Sequence, residues 1–236
     1  MRSREIESMR FKCEHEMAQV VEQWLCSQGL LVKREFSTPW GICDLVGLAP
    51  KKRKVLQRVR LRQTKSIGPP QRIAILQRIP DRSTGRAVKK ETVYRKFSGL
   101  MSQERFAYHI DKLIKGHFVR CTCRGTLQKL NGWMPLSERI VAVELKLSRI
   151  GEVLRQAAAH REIADETLVA LPDHAALRAS SSSWVREFQH LGVGILAVSA
   201  KSAKVAFLPQ TKRRGTSSVL RTHCVERFWP MCIRDM

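Results

Sequence analysis

The tripeptide Glu144-Leu145-Lys146 closes the apolar run Ile140-Val141-Ala142-Val143. That run reads as a buried strand, and on a strand an acid and a lysine separated by one residue project from the same face. A carboxylate beside an ammonium at a strand's end suits metal-assisted hydrolysis. The acid can hold a divalent cation, and the lysine can orient or activate the attacking water. Far upstream, Asp44 stands in Gly41-Ile42-Cys43-Asp44-Leu45-Val46-Gly47, a lone acid on a second apolar strand. The plainer reading of Asp44 and Glu144 is a pair of salt-bridged strand acids. A carboxylate in an apolar strand is costly unless it has a partner, and this favours a site built from Asp44, Glu144 and Lys146.

Elements able to position these residues follow from the apolar spacing. Met17, Val20, Val21, Trp24 and Leu25 recur at helical intervals and predict a helix over 14–27, with Gly29 at its C-terminal end. Residues 30–36 and 42–48 read as two strands of a hairpin that turns through Ser37-Thr38-Pro39-Trp40-Gly41. Strands are predicted over 139–147, 167–171, 193–199 and 204–208, and helices over 150–164 and 183–191. Residues 209–236 read as a basic tail without a clear period. With 51–136 set aside, the order is that of an α/β sheet core in two parts, 10–50 and 137–208.

The chain of 236 residues carries a net charge of +22, distributed unevenly. Residues 51–136 hold 22 Lys/Arg against 4 Asp/Glu, and the rest of the chain holds 21 against 17. A segment this one-sided implies a polyanion partner, most simply nucleic acid, over a generic basic surface. No apolar run approaches the roughly 18 residues of a membrane span, and residues 1–12 lack the apolar stretch of a secretory signal. Seven cysteines at irregular spacing argue for reduced thiols in a cytosolic compartment.

The basic segment has its own pattern. Helices are predicted over 71–79, 88–97 and 103–115, the last capped by Ser102 and ended by Gly116. A hairpin over 118–123 and 126–130 turns at Arg124-Gly125. Three helices followed by a basic hairpin resemble a winged helix-turn-helix domain. If residues 103–115 form its recognition helix, Arg105, His109 and Lys112 share a face toward the major groove or its phosphates. Gln103 and Tyr108 could join them, and Arg120, Arg124 and Lys129 on the hairpin would contact backbone phosphates. A solvated helix face is the alternative.

The core resembles the PD-(D/E)xK nuclease superfamily, the restriction-endonuclease-like fold. The resemblance rests on a helix bearing an acid, a hairpin with Gly41-Ile42-Cys43-Asp44-Leu45-Val46, then Val141-Ala142-Val143-Glu144-Leu145-Lys146, then a further helix. It implies that Asp44 and Glu144 bind one or two Mg²⁺ ions, for which Mn²⁺ would substitute. The backbone carbonyl of Leu145 is a further ligand, and Lys146 positions or deprotonates the attacking water. Resolvase-like members carry a Glu-x-Glu-apolar pattern on the first helix, which Glu14-His15-Glu16-Met17 matches, so Glu14 is the third acid and Glu16 its reserve. RecB-like members carry Gln-x-x-x-Tyr on the helix after the lysine. Gln156 fits the glutamine, and His160 departs from the tyrosine.

Other signals are weaker. Cys121-x-Cys123 with His117 has the wrong spacing for a zinc knuckle and is explained by alternation on a hairpin strand. Pro50-Lys51-Lys52-Arg53-Lys54-Val55 resembles a nuclear import signal but reads here as a DNA-facing linker. The expectation is therefore a Mg²⁺-dependent endodeoxyribonuclease acting on duplex DNA through metal-activated water, with an inserted winged-helix domain. Such an enzyme would be cytoplasmic and nucleoid-associated, or nuclear in a eukaryote, with no membrane partner, and double-strand cutting would call for a homodimer. The alternatives are a catalytically inactive nuclease-fold DNA-binding protein or regulator acting through the winged helix, and an RNA-directed nuclease.

Overall fold

Met17, Val21 and Leu25 fall one helical turn apart, and all three are fully buried. They set helix α1, Glu14–Ser27, whose first turn carries Glu14 and Glu16 where the helix dipole favours acids. The computed structural model describes residues 11–210 and 218–235. It divides into two units, one of residues 1–49 and 138–217, the other of residues 50–137 and 218–236.

In the first unit, β1 (Leu31–Thr38) and β2 (Gly41–Pro50) pair antiparallel from Leu31 opposite Leu48 to Thr38 opposite Gly41. The turn is tighter than the loop the sequence suggests. Thr38 Oγ1 accepts from Trp40 N–H, and Gly41 has φ 129°, a value a side chain would strain. Gly47 leaves room for the Leu30 side chain, since a Cβ there would stand 2.9 Å from Leu30 Cδ1. The chain returns in β6 (Ser137–Leu145), α6 (Ile150–Ala159), a 3₁₀ turn (His160–Glu162) and β7 (Glu166–Pro172). It continues through α7 (Asp173–Ser181), α8 (Trp184–Leu191), β8 (Gly194–Val198) and β9 (Ala203–Phe207).

These strands form a mixed six-stranded sheet ordered β1-β2-β6-β7-β8-β9. The β6-β7 and β7-β8 pairs are parallel and the β8-β9 pair is antiparallel. Alternate residues feed opposite faces. Leu168, Ala170, Leu196 and Val198 pack with Val141, Val143, Leu145 and the buried face of α1. Val169, Leu171, Ile195 and Ala197 pack with Val153, Leu154, Phe188 and the small face of α7. Helix α7 is absent from the sequence expectation because its buried positions, Ala175, Ala176 and Ala179, carry no bulky apolar side chain. The predicted helix over 150–164 is shorter, its last turn tightening to 3₁₀ at His160.

The second unit holds α2 (Lys52–Arg60), α3 (Pro70–Gln77), β3 (Val88–Lys89), α4 (Lys90–Tyr94) and α5 (Gln103–Lys115). It is completed by β4 (Val119–Cys121), β5 (Thr126–Lys129), α9 (Ser218–Arg227) and α10 (Trp229–Arg234). The three short strands form a sheet ordered β3-β5-β4. Ser102 Oγ accepts from Arg105 N–H to cap α5, and Phe106, Ile110 and Leu113 join the core with Ile73, Leu76, Phe97 and Phe118.

Three expectations are corrected in this unit. Residues 52–60 are a helix rather than a linker, because Val55 and Arg58 point inward. The predicted helix over 88–97 begins as the strand β3. The residues read as a tail include two helices, and these carry the partner of Arg58. Arg58 is fully buried and its Nη1 donates to Glu226 Oε1 at 2.5 Å. Its guanidinium lies 3.9 Å from the Trp229 ring centroid and 5.1 Å from that of Phe118. Glu226 Oε2 also accepts from Ile67 N–H at 2.7 Å, so both oxygens are engaged. Among the described residues, no helix is long and apolar enough to cross a membrane.

Candidate active site

Asp44 lies midway along β2, and β2 neighbours β6 in the sheet. Leu145 N–H donates to Asp44 Oδ2 at 2.7 Å, which ties the aspartate to the end of β6. Glu144, immediately before that amide, is buried, and its carboxylate acts on Asp44. Burial raises the Asp44 carboxyl from 3.8 to about 6. The Leu145 N–H opposes that rise, the neighbouring Glu144 adds to it, and the Lys146 ammonium offsets part of it. Two carboxylates held together in a low-dielectric place cannot both ionise cheaply. They must share a proton or gain a cation.

Lys146 follows the last residue of β6, and its N–H still donates to Ala170 O at 3.1 Å. Its Nζ bonds Glu14 Oε2 at 3.2 Å, at the first residue of α1. Glu16 does not compete for this place, because its Oε2 caps its own helix by accepting Lys12 N–H at 2.7 Å. Of the two glutamates, Glu14 is the one that bonds Lys146. The same-face expectation for Glu144 and Lys146 is modified. Lys146 pairs with α1, which covers one face of the sheet, whereas Glu144 pairs with His160, at the end of α6 on the other face. Where β6 stops, strand alternation no longer dictates where a long lysine side chain goes.

His160 carries a role the sequence left open. Its Nε2 lies 2.7 Å from Glu144 Oε1, both side chains are buried, and among the described residues its Nδ1 has no hydrogen-bond partner. Nε2 and Oε1 are hydrogen-bonded, with the donor set by the tautomer of the imidazole and the protonation of Glu144. Cys43 completes the surroundings. The ligand atoms of Cys43, Glu144 and His160 all lie within 4.8 Å of one another. The Cys43 thiol, however, donates toward Leu45 O at 3.3 Å and Val143 O at 3.6 Å. Burial, then the carboxylates of Glu144 and Asp44, hold its pKa well above the ordinary value, which keeps it a thiol.

The donor set fits a hard divalent cation. Asp44 and Glu144 offer carboxylate oxygens, and their crowding is the electrostatic strain a cation relieves. Glu14 is paired with Lys146, whose ammonium acts on the Asp44 carboxyl. Gln156 is not brought in: it is exposed on α6, and among the described residues no hydrogen bond joins it to the carboxylates.

The expected nucleic-acid residues of the second unit divide. Arg105, Lys112 and Arg124 are exposed. Tyr108 is exposed as well, with the Lys112 ammonium 5.3 Å and the Arg72 guanidinium 5.9 Å from its ring centroid. Arg120 is exposed but its guanidinium is bonded to Gln128 Oε1 at 2.9 and 2.6 Å. Lys129 is half-buried 4.4 Å from the Trp133 ring centroid, and burial lowers its pKa. His109 is a correction. It is buried, among the described residues neither ring nitrogen has a hydrogen-bond partner, and burial followed by the Arg72 and Arg105 charges lowers its pKa. It lies on the core side of α5, where helical spacing from Phe106 and Leu113 carries it inward.

No protein-family model matches the chain, and no curated protein matches it. The chain is similar in structure to the SPO1766 protein of unknown function from Silicibacter pomeroyi, at 12% identity and a TM-score of 0.44. The similarity covers 95% of this chain and 89% of that one.

Proposed function

We propose that the protein is a metal-dependent nuclease of the restriction-endonuclease-like kind, hydrolysing phosphodiester bonds of duplex DNA. The observation that carries this reading is the Asp44–Glu144 pair at the end of β6, followed by Lys146, whose ammonium acts on Asp44 and pairs with Glu14. Asp44 and Glu144 would hold Mg²⁺ or Mn²⁺, with the Leu145 carbonyl as a further ligand. Such an ion would supply a water of lowered pKa and neutralise charge building on the scissile phosphate. Lys146 would position the water, with Glu14 holding the ammonium in place. The Leu145 N–H bond fixes Asp44 Oδ2, so the carboxylate is oriented before any ligand arrives.

The second unit supplies binding. Its order from α3 through β3, α4 and α5 to the β4-β5 hairpin, with sheet order β3-β5-β4, supports a winged helix-turn-helix reading. Arg105 and Lys112 on α5 and Arg124 at the hairpin tip are its exposed cations, and they contact phosphates. A polyanion partner follows from 25 Lys/Arg against 6 Asp/Glu in this unit.

The test is cleavage of supercoiled plasmid, linear duplex and single strands in Mg²⁺, Mn²⁺ and EDTA, by wild type and Asp44→Ala. Metal-dependent cleavage that Asp44→Ala loses while still binding DNA supports the reading. Equal cleavage by Asp44→Ala overturns it. Tight, salt-sensitive binding by a wild type that never cleaves would leave a DNA-binding protein acting through the second unit.

A further inference from the structure

We propose that His160 is a positioning residue for Glu144: its Nε2–H holds one carboxylate oxygen so that the other is presented to a divalent cation shared with Asp44. The inference rests on the reading of Asp44 and Glu144 as a cation-binding pair. His160 and Glu144 are 2% and 4% exposed, so neither finds water to replace a lost partner. Their separation, 2.7 Å between Nε2 and Oε1, is that of a charge-assisted hydrogen bond. Nδ1 has no hydrogen-bond partner, so the ring's polar contact within the described residues is with Glu144. A buried imidazole with one polar contact, aimed at a carboxylate that itself faces another carboxylate, orients that carboxylate. The 3₁₀ turn His160–Glu162 is what brings the ring there, because the tightening at the end of α6 swings position 160 onto β6.

The same atoms admit a second reading, in which Cys43, Glu144 and His160 ligate a softer metal such as Zn²⁺. The geometry argues against it. Nε2 is engaged with Glu144 Oε1 at a hydrogen-bonding distance of 2.7 Å. The Cys43 thiol donates toward two backbone carbonyls, Leu45 O and Val143 O.

The experiment compares His160→Gln with His160→Asn. The Gln amide nitrogen sits where Nε2 sits and can still donate to Glu144. The Asn amide sits where Nδ1 sits and falls short. Thermal denaturation first establishes that both variants are folded, and Mn²⁺ affinity is then measured by electron paramagnetic resonance of the free ion. Expected is a loss of affinity of about 10–100-fold in His160→Asn, with most of it restored in His160→Gln. Affinity equal to wild type in both variants, or weakened equally in both, overturns positioning and leaves a purely structural histidine. Stoichiometric Zn²⁺ binding that Cys43→Ser abolishes would replace it with a three-ligand site. Wild type that binds no divalent cation overturns the carboxylate pair itself, and His160's role with it.

Discussion

The two units handle buried charge in opposite ways. The unit of residues 50–137 and 218–236 buries a matched pair, Arg58 and Glu226, with both carboxylate oxygens engaged and the guanidinium stacked on Trp229. The unit of residues 1–49 and 138–217 crowds two carboxylates, Asp44 and Glu144, and raises the pKa of one. Total charge runs the other way. The first-named unit carries 25 Lys/Arg against 6 Asp/Glu, the other 18 against 15. Matched burial with an excess of surface cations suits a domain that stays rigid and holds a polyanion. Mismatched burial under a near-neutral surface suits a site that holds something of opposite sign.

The sharpest break in that comparison is Asp44→Asn. Cleavage should fall about 10²–10⁴-fold, measured as the single-turnover rate at saturating DNA, while DNA affinity by fluorescence anisotropy stays at the wild-type value. In the other unit, Glu226→Ala leaves the Arg58 guanidinium buried and alone. That should cost about 3–5 kcal/mol, read as an early thermal transition confined to that unit. A double change, Arg58→Met with Glu226→Leu, should recover much of the loss, since an apolar pair can replace a buried ion pair.

A smaller effect is linked to pH. The folded-state pKa of Asp44 is raised from 3.8 to about 6, so protonation favours the folded state. The stability it gives is complete below about pH 4 and is lost as pH rises through about 6. Denaturant titrations of metal-free protein should show this decline, and Mg²⁺ or Asp44→Asn should flatten it. Removing Arg105 or Lys112 should weaken DNA binding at all sequences alike and reduce the salt slope by about 1 each, without changing the saturated cleavage rate. The smallest effect is expected at His109. His109→Leu should leave DNA affinity unchanged and stability unchanged or raised, because the histidine is buried with both nitrogens unbonded.

What was legible in the sequence is explained by how each signal is written. Asp44 and Glu144 stand alone among apolar strand residues, and the structure brings both to the end of β6 with Lys146 and Glu14. Spacing gives Glu14 and Glu16 adjacent positions in the first helical turn, and only the fold shows that Glu16 accepts from the Lys12 amide while Glu14 bonds Lys146. The pairing of His160 with Glu144 was not legible, because the direction of His160 depends on a 3₁₀ turn that spacing does not reveal. Helix α2 was hidden because one of its inward positions is an arginine, and α9 because Thr222 and Glu226 are among its buried residues. Both break the apolar period by which helices are found. His109 misled for the converse reason, a polar residue counted as outward on a face that turns in.

The most direct test of the central claim is a single comparison of wild type and Lys146→Ala on supercoiled plasmid, with Mg²⁺ and with EDTA, and DNA affinity measured on the same samples. The prediction is cleavage by wild type in Mg²⁺ alone, its loss in Lys146→Ala, and equal DNA binding by both. Cleavage by Lys146→Ala at the wild-type rate, or cleavage by wild type that EDTA does not stop, would contradict it.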